Sequence, residues 1–316
     1  MADDFRKLLQ KEGIIVFDGA MGTILQDKDI PQGSPLEELN LTEPNKVADV
    51  HLSYAEVGVD VVETNTFGAN RIKLSRYNLD SKMEAINREA VRVAKEAVPS
   101  CLVGASIGPL GTFIEPWGDL SLNEAHSVFK EQIGSVSKAG ADLIVIETMM
   151  YIKEAEVAVL AARDVCQLPI VCQVTFAENG RTLMGEDPDT VLSALEDLKI
   201  DALGANCSVG PDSLLPVAEK ISLKAHLPLI FQPNAGQPQL KNGRTEYPVL
   251  PEQFSDWMEK FVELGVKIIG GCCGTTPAHL KTTVSRHKLV DSSLFIASSK
   301  NQIQNNDAKI GTATIF

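Results

Sequence analysis

Three cysteines stand where a metal site could use them. Cys272 and Cys273 are adjacent and framed by glycines in the run Gly270-Gly-Cys-Cys-Gly-Thr-Thr276, and Cys207 follows Asn206 at the end of a short apolar run. Thiolates are soft ligands that favour zinc, and three protein ligands leave a fourth position open, as a catalytic zinc site requires. Glycines on both sides of the pair permit the tight turn that lets neighbouring residues ligate one ion. A bare Cys-Cys also has two plainer readings, a pair of small buried residues or a strained vicinal disulfide. Cys101, Cys166 and Cys172 sit inside apolar segments, where packing is their expected role.

For the three cysteines to meet, regular elements must carry them to one face. Short runs rich in Val and Ile fall at 14–17, 59–64, 101–106, 143–147, 170–175, 202–206, 229–232 and 266–270. Most lack strict alternation, as expected of parallel strands covered on both faces. Between them lie segments of helical periodicity. Residues 84–97 place Ile86, Ala90, Val93, Ala94 and Ala97 on one stripe, 152–166 is alanine-rich, and 251–264 spaces Phe254, Trp257, Phe261 and Leu264 as core positions of a helix. Eight strand–helix units predict an α/β fold, a (β/α)8 TIM barrel spanning residues 1–289 as a single domain. The polar, amide-rich stretch 290–316 reads as a linker or disordered tail. An open doubly wound sheet would carry a Gly-rich dinucleotide turn after its first strand; Asp18-Gly-Ala-Met-Gly-Thr23 does not fit one, and no Walker A sequence occurs.

In a parallel barrel the C-terminal strand ends form the active-site face. Asp18-Gly19, the segment from Thr64 to Gly68, Ser106, Glu147, Asn206-Cys207, the segment from Gln232 to Gly236 and the Cys272-Cys273 pair all fall there. The sixth and eighth runs are separated by one strand, so their cysteines are expected to converge.

Composition narrows the partners. A 44% hydrophobic share over 316 residues can bury a large core. A formal net charge of −13 argues against nucleic acid, which needs clustered Lys and Arg, and serves solubility instead. No run of eighteen or more apolar residues occurs, so no membrane span is expected, and the early acids at the N-terminus do not suit a secretion signal. A cytoplasmic location follows as the default.

These residues carry a resemblance. Gly270-Gly-Cys-Cys-Gly-Thr-Thr-Pro277, Asn206-Cys207-Ser208, Asp18-Gly-Ala-Met-Gly-Thr23 and Glu63-Thr-Asn-Thr-Phe67 look like the signature segments of the homocysteine S-methyltransferase family, in order from about residue 10 to 289. Pro233-Asn-Ala-Gly236 and Met184-Gly-Glu-Asp-Pro188 resemble the branch formed by the N-terminal homocysteine-binding module of cobalamin-dependent methionine synthase. The resemblance implies a homocysteine S-methyltransferase that forms methionine. Its zinc would be held by Cys207, Cys272 and Cys273, with Asn234 in the open position before substrate arrives. A free thiol has a pKa near ~8.5, and zinc coordination supplies the thiolate at neutral pH. The substrate ammonium would meet Asp18 and Glu147, and its carboxylate backbone N–H groups near Gly19 with Thr66 or Ser106. Asp18 has the plainer reading of a helix cap, and Glu147 that of a rim salt bridge. Asn65 and Asn206 divide between substrate contact and loop hydrogen bonding.

The implied methyl donor is methylcobalamin on a partner domain or corrinoid protein, not bound by this chain alone. The nearest text to the corrinoid motif Asp-x-His-x-x-Gly is Asp49-Val-His51-Leu-Ser-Tyr54, which lacks the glycine and falls at an expected helix start. S-methylmethionine and betaine are alternative donors, and another small thiol is an alternative acceptor. A reading of another class is a module that holds homocysteine and zinc and acts only when a corrinoid partner docks. A purely structural zinc site would need a fourth Cys or His, and none is evident on the same rim.

Overall fold

The computed structural model describes residues 2–28, 30, 33–241 and 244–287. The strands are β1 (Ile15–Val16), β2 (Val61–Glu63), β3 (Leu102–Ile107), β4 (Leu143–Met149), β5 (Ile170–Val174), β6 (Ala202–Asn206), β7 (Leu229–Gln232), β8 (Gln239–Lys241), β9 (Arg244–Glu246) and β10 (Ile268–Ile269). Eight of them form one parallel sheet in the order β1-β10-β7-β6-β5-β4-β3-β2. A bridge between Phe17 and Val61 joins its two ends, with Asp18 N donating to Val61 O at 3.0 Å and Asp60 N to Val16 O at 2.7 Å. The sheet is thus the expected (β/α)8 barrel. All eight expected runs form strands. The first and last shrink to two residues each, because the chain leaves the ladder early to enter the rim loops.

Two cores follow from strand alternation, since successive side chains point to opposite faces. Ile15, Phe17, Val61, Leu143, Val145, Val171, Ala202, Ile230 and Ile268 pack together inside the barrel. Their neighbours Val16, Val62, Val103, Ile144, Ile146, Cys172, Leu203 and Phe231 pack outward under the helices. Helix Ala2–Gln10 closes the N-terminal end of the barrel, with Phe5 fully buried edge-on to Phe17 at 6.1 Å.

The periodic segments fold as helices Met83–Ala97, Ile152–Val165 and Pro251–Glu263. Phe254 and Phe261 are buried, the latter stacked on Phe231 at 5.3 Å. Trp257 and Leu264 are only half-buried, and the Lys260 ammonium sits 3.9 Å from the Trp257 ring centroid, so this stripe is less fully core than its spacing predicts. The β8–β9 hairpin, inserted between β7 and β10, was not expected. His51 lies in the second half of helix Pro44–Ala55, not at its start, and is fully buried. No helix among the described residues is long and apolar enough to cross a membrane. The stretch 290–316 lies outside the described residues.

Candidate thiolate active site

The alternation that builds the inner core also builds the site above it. Two residues beyond Val61 comes Glu63, and two beyond Val145 comes Glu147. In the same way Ser106 follows Gly104, Gln173 follows Val171, Asn206 follows Gly204 and Gln232 follows Ile230. The barrel interior therefore turns from apolar to polar along its axis. Above that polar layer opens a cavity of about 250 Å³.

All three sulfurs reach the cavity wall. Cys207 Sγ lies 3.8 Å from Cys273 Sγ, and the three sulfurs lie within 4.8 Å of one another. Two sulfurs each ~2.3 Å from a zinc ion in a tetrahedral site stand about 3.8 Å apart, so the spacing suits a metal. None of the six cysteines is in a disulfide, which sets aside the vicinal pair. Cys207 and Ser208 both adopt left-handed backbone, φ +58° and +63°. Such conformations cost on the order of 1–3 kcal/mol each and persist where the surroundings over-determine them. Here Cys207 N donates to Gln232 O at 3.1 Å, locking the turn to β7. The Cys272-Cys273 turn is pinned from two sides: Cys272 N donates to Pro233 O at 2.9 Å, Ala235 N to Cys273 O at 3.0 Å, and Gly271 N to Asp18 O at 3.0 Å.

The three sulfurs share their protons unevenly. Hydrogen bonds from Cys207 and Cys272 push the Cys273 thiol down to about 3, and donating to both neighbours pushes Cys272 up. Three soft sulfurs that already favour one thiolate make a donor set suited to a divalent ion.

Beside the sulfurs stand three buried carboxyls. Burial raises the pKa of Asp18, Glu63 and Glu147 alike, and the charge of Glu147 raises Asp18 and Glu63 further. Glu147 accepts from the Ser106 hydroxyl, from Asn206 Nδ2 at 2.8 Å and from Thr148 Oγ1 at 3.3 Å. It pairs with no cation among the described residues, so the rim salt bridge does not form. Asp18 Oδ2 accepts from Glu63 N at 3.0 Å, a barrel-closing bond and not a helix cap, while its Oδ1 is buried without a partner.

Of the residues singled out by sequence, Gly19, Asn65, Ser106, Glu147, Asn206 and the three cysteines line the cavity. Asp18, Thr66 and Asn234 are not among its lining residues. The Thr66 hydroxyl donates to Ser106 O at 2.7 Å and the Ser106 hydroxyl to Glu147, so both expected carboxylate donors are already engaged. The Asn65 amide is spent on Leu36 O at 2.7 Å and Asn40 Oδ1 at 3.2 Å. Asn206 does more than hold a loop: it bridges Glu147, Thr148 and, at 4.0 Å, the Cys272 sulfur. Asn234 N donates to Val209 O at 3.1 Å, and its buried Oδ1 has no partner, as a group awaiting a ligand would. Gly19 admits no side chain, because a Cβ there would fall 2.4 Å from Thr275 Oγ1. Sequence reasoning placed Gln232 and Thr148 on the rim but gave no site role to them, to Glu63 or Glu37, or to the apolar lining of Met21, Leu36 and Phe67. The two-residue step from the inner core would have found Glu63 and Gln232.

Comparison with known proteins agrees with this arrangement. Residues 15–286 match the family model for homocysteine S-methyltransferase. Methionine synthase of Mycobacterium tuberculosis and that of Mycobacterium leprae are each 32% identical over 288 residues, covering 85% of this chain. The chain spans only 24% of the length of either. The fold is also that of the Escherichia coli homocysteine methyltransferase MmuM. Its metallated form superposes with a TM-score of 0.77 at 23% identity over 89% of this chain and 99% of the other, and its oxidized form with 0.76. On the extent of the family match and the identity to these relatives, the chain belongs to the homocysteine S-methyltransferase family.

Proposed function

We propose that this chain is a zinc-dependent homocysteine S-methyltransferase domain that forms methionine. The observation carrying the reading is the meeting of three sulfurs, within 4.8 Å of one another, with a cluster of buried carboxyls at one cavity. Cys207, Cys272 and Cys273 would hold the ion, and Asn234, whose buried Oδ1 has no partner, would be the further ligand until substrate arrives. The metal supplies Lewis acidity that keeps the incoming thiol deprotonated at neutral pH.

The chain's own residues do the rest. Glu147 and Glu63, with Asp18 buried behind them, form a carboxyl end to the cavity; a substrate ammonium placed there would favour their charged forms and be held by them. Asn206, bonded to Glu147 and in reach of Cys272, fixes the distance between the ammonium end and the sulfur end. The backbone of residues 19–23 lines the wall where the substrate carboxylate fits. The apolar lining at Met21, Leu36 and Phe67 would suit the approach of a methyl donor.

Methylcobalamin carried by a partner domain or protein is the donor we favour. The support is that the methionine synthase relatives extend over three quarters of their length beyond the match. S-methylmethionine and betaine are the alternative donors.

The test is methionine formation by the purified chain with homocysteine and, in turn, methylcobalamin, S-methylmethionine and betaine, alongside metal analysis. About one zinc per chain is expected, with Cys207→Ala and Cys272→Ala losing both metal and turnover. Full activity after complete chelation would overturn the reading.

A further inference from the structure

β1 and β10 are neighbours in the sheet, and the loops that follow them, 18–23 and 270–276, both wall the cavity. Three hydrogen bonds stitch these loops together. Gly271 N donates to Asp18 O at 3.0 Å, Ala20 N to Thr275 Oγ1 at 3.1 Å and Gly274 N to Thr23 Oγ1 at 3.2 Å. The middle stitch runs through a side chain that the site as drawn so far does not use. Thr275 is fully buried and is not among the residues lining the cavity. Its hydroxyl donates to Cys272 O at 2.7 Å while accepting from Ala20 N, so one oxygen joins the first loop to the backbone of a sulfur-bearing residue. Behind it the buried Tyr54 phenol, on helix Pro44–Ala55, reaches both loops, with Ala20 O at 3.1 Å and Thr275 O at 3.2 Å as acceptors. A Cβ at Gly19 would fall 2.4 Å from Thr275 Oγ1 and 2.8 Å from the Tyr54 hydroxyl, and one at Gly271 would fall 2.4 Å from Thr275 Oγ1. A glycine from each loop thus makes room for the same threonine.

We propose that Thr275, braced by Tyr54, is a positioning residue that sets the register between the amino-acid end of the substrate and the metal: its hydroxyl holds the loop 18–23 at a fixed place relative to Cys272. The proposal deepens the homocysteine and metal reading above and rests on it. A ligand that meets the ion through its sulfur and residues 19–23 through its carboxylate needs both loops in place at once. A thiol held by its sulfur alone does not. Removing the Thr275 hydroxyl leaves the Ala20 N–H buried without the partner it has here, and the loop must shift to find another. Cys272 O keeps the bond from Thr275 N at 3.1 Å, and the sulfur-bearing turns stay pinned through Cys207 N to Gln232 O and through Cys272 N to Pro233 O. The metal site therefore survives a change that moves the wall opposite the substrate carboxylate, and small displacements of such a wall are costly to a ligand that spans it.

The test loads the protein with cobalt(II), whose sulfur-to-metal charge-transfer band reports each thiol that binds the ion, and titrates it with homocysteine and with propane-1-thiol. Thr275→Val keeps the shape of the side chain and loses the hydroxyl. Still taking up one cobalt, it is expected to bind homocysteine at least about tenfold more weakly than wild type, with propane-1-thiol binding unchanged. Thr275→Ser, which keeps the hydroxyl, should bind homocysteine as wild type does. Should Thr275→Val fail to fold, Tyr54→Phe, which removes the brace and leaves the threonine, decides by the same comparison of the two thiols. Equal losses for both thiols, as a merely structural role would give, or no loss for homocysteine, overturn the register role. Wild-type protein that takes up no cobalt would overturn the thiolate centre itself, and this proposal with it, so the two failures are told apart.

Discussion

Glu63 lies at the centre of a conflict among the side chains of the site. Burial, then the charges of Glu147 and Asp18, raise its pKa, with a Gln232 hydrogen bond working the other way. An unfolded carboxyl titrates near ~4, so over the window above that the folded protein keeps protons that the unfolded chain has lost. Stability therefore falls as pH rises through this window, and the penalty is complete above the raised folded values. Glu63→Gln is expected to raise the thermal midpoint of the substrate-free protein at pH 8 and to leave it unchanged at pH 4. It should also raise the KM for homocysteine roughly tenfold or more, since a hydrogen bond to a charged group is worth about 1.5–3 kcal/mol. Calorimetry at the two pH values and steady-state kinetics check both halves; equal midpoint shifts at pH 4 and pH 8 would count against the cluster.

Helix Pro44–Ala55 shows how an element carries a liability far from the chemistry. His51 is fully buried on it, both ring nitrogens lack partners, and burial pushes its pKa down to about 4. An imidazole in the unfolded chain titrates near ~6.5. The folded state thus refuses a proton that the unfolded state accepts, and stability is lost as pH falls from ~6.5 to ~4, by about 3 kcal/mol in all. His51→Leu should remove this acid sensitivity. Urea midpoints measured between pH 7 and pH 4 would show a flatter profile in the variant, and parallel profiles would refute the assignment. The same burial turns the histidine of the corrinoid-like text at Asp49–Tyr54 toward the core. Strands tell the complementary story. Local alternation aims Leu143, Val145 and Glu147 at the barrel axis, so a strand that buries its apolar residues below delivers an acid above.

At the scale of the whole molecule, the site draws on side chains from nearly every barrel strand and the loops that follow them. Ligands that bridge these elements should stabilise the barrel as a unit. Zinc with homocysteine at about 100 times its Kd contributes about 2.7 kcal/mol by mass action, which in a domain of this size amounts to roughly 4–5 °C in Tm. Differential scanning fluorimetry should show this shift in wild type and its absence in Cys207→Ala. A comparable shift in that variant would place the binding elsewhere. Closure of the sheet through Phe17 and Val61 is what makes the coupling global, since no edge strand is left to move independently.

Much of this was legible from residues alone. Soft ligands in a glycine-framed pair, eight apolar runs and polar residues at their ends point to a barrel with a metal-binding rim, because ligand chemistry and strand geometry are local properties. Glu63 and Gln232 were within reach of the same local rule. What the chain could not disclose is how the rim loops share their hydrogen bonds. Cys207 meets Cys273 across 66 positions. Thr66 and Ser106 spend their hydroxyls on neighbouring strands, and Tyr247 returns from a hairpin to lie on the cysteine turn. Those partnerships are settled only when barrel closure brings distant segments together. A polar group takes whichever partner packing places beside it, and nothing in its own stretch of sequence names that partner.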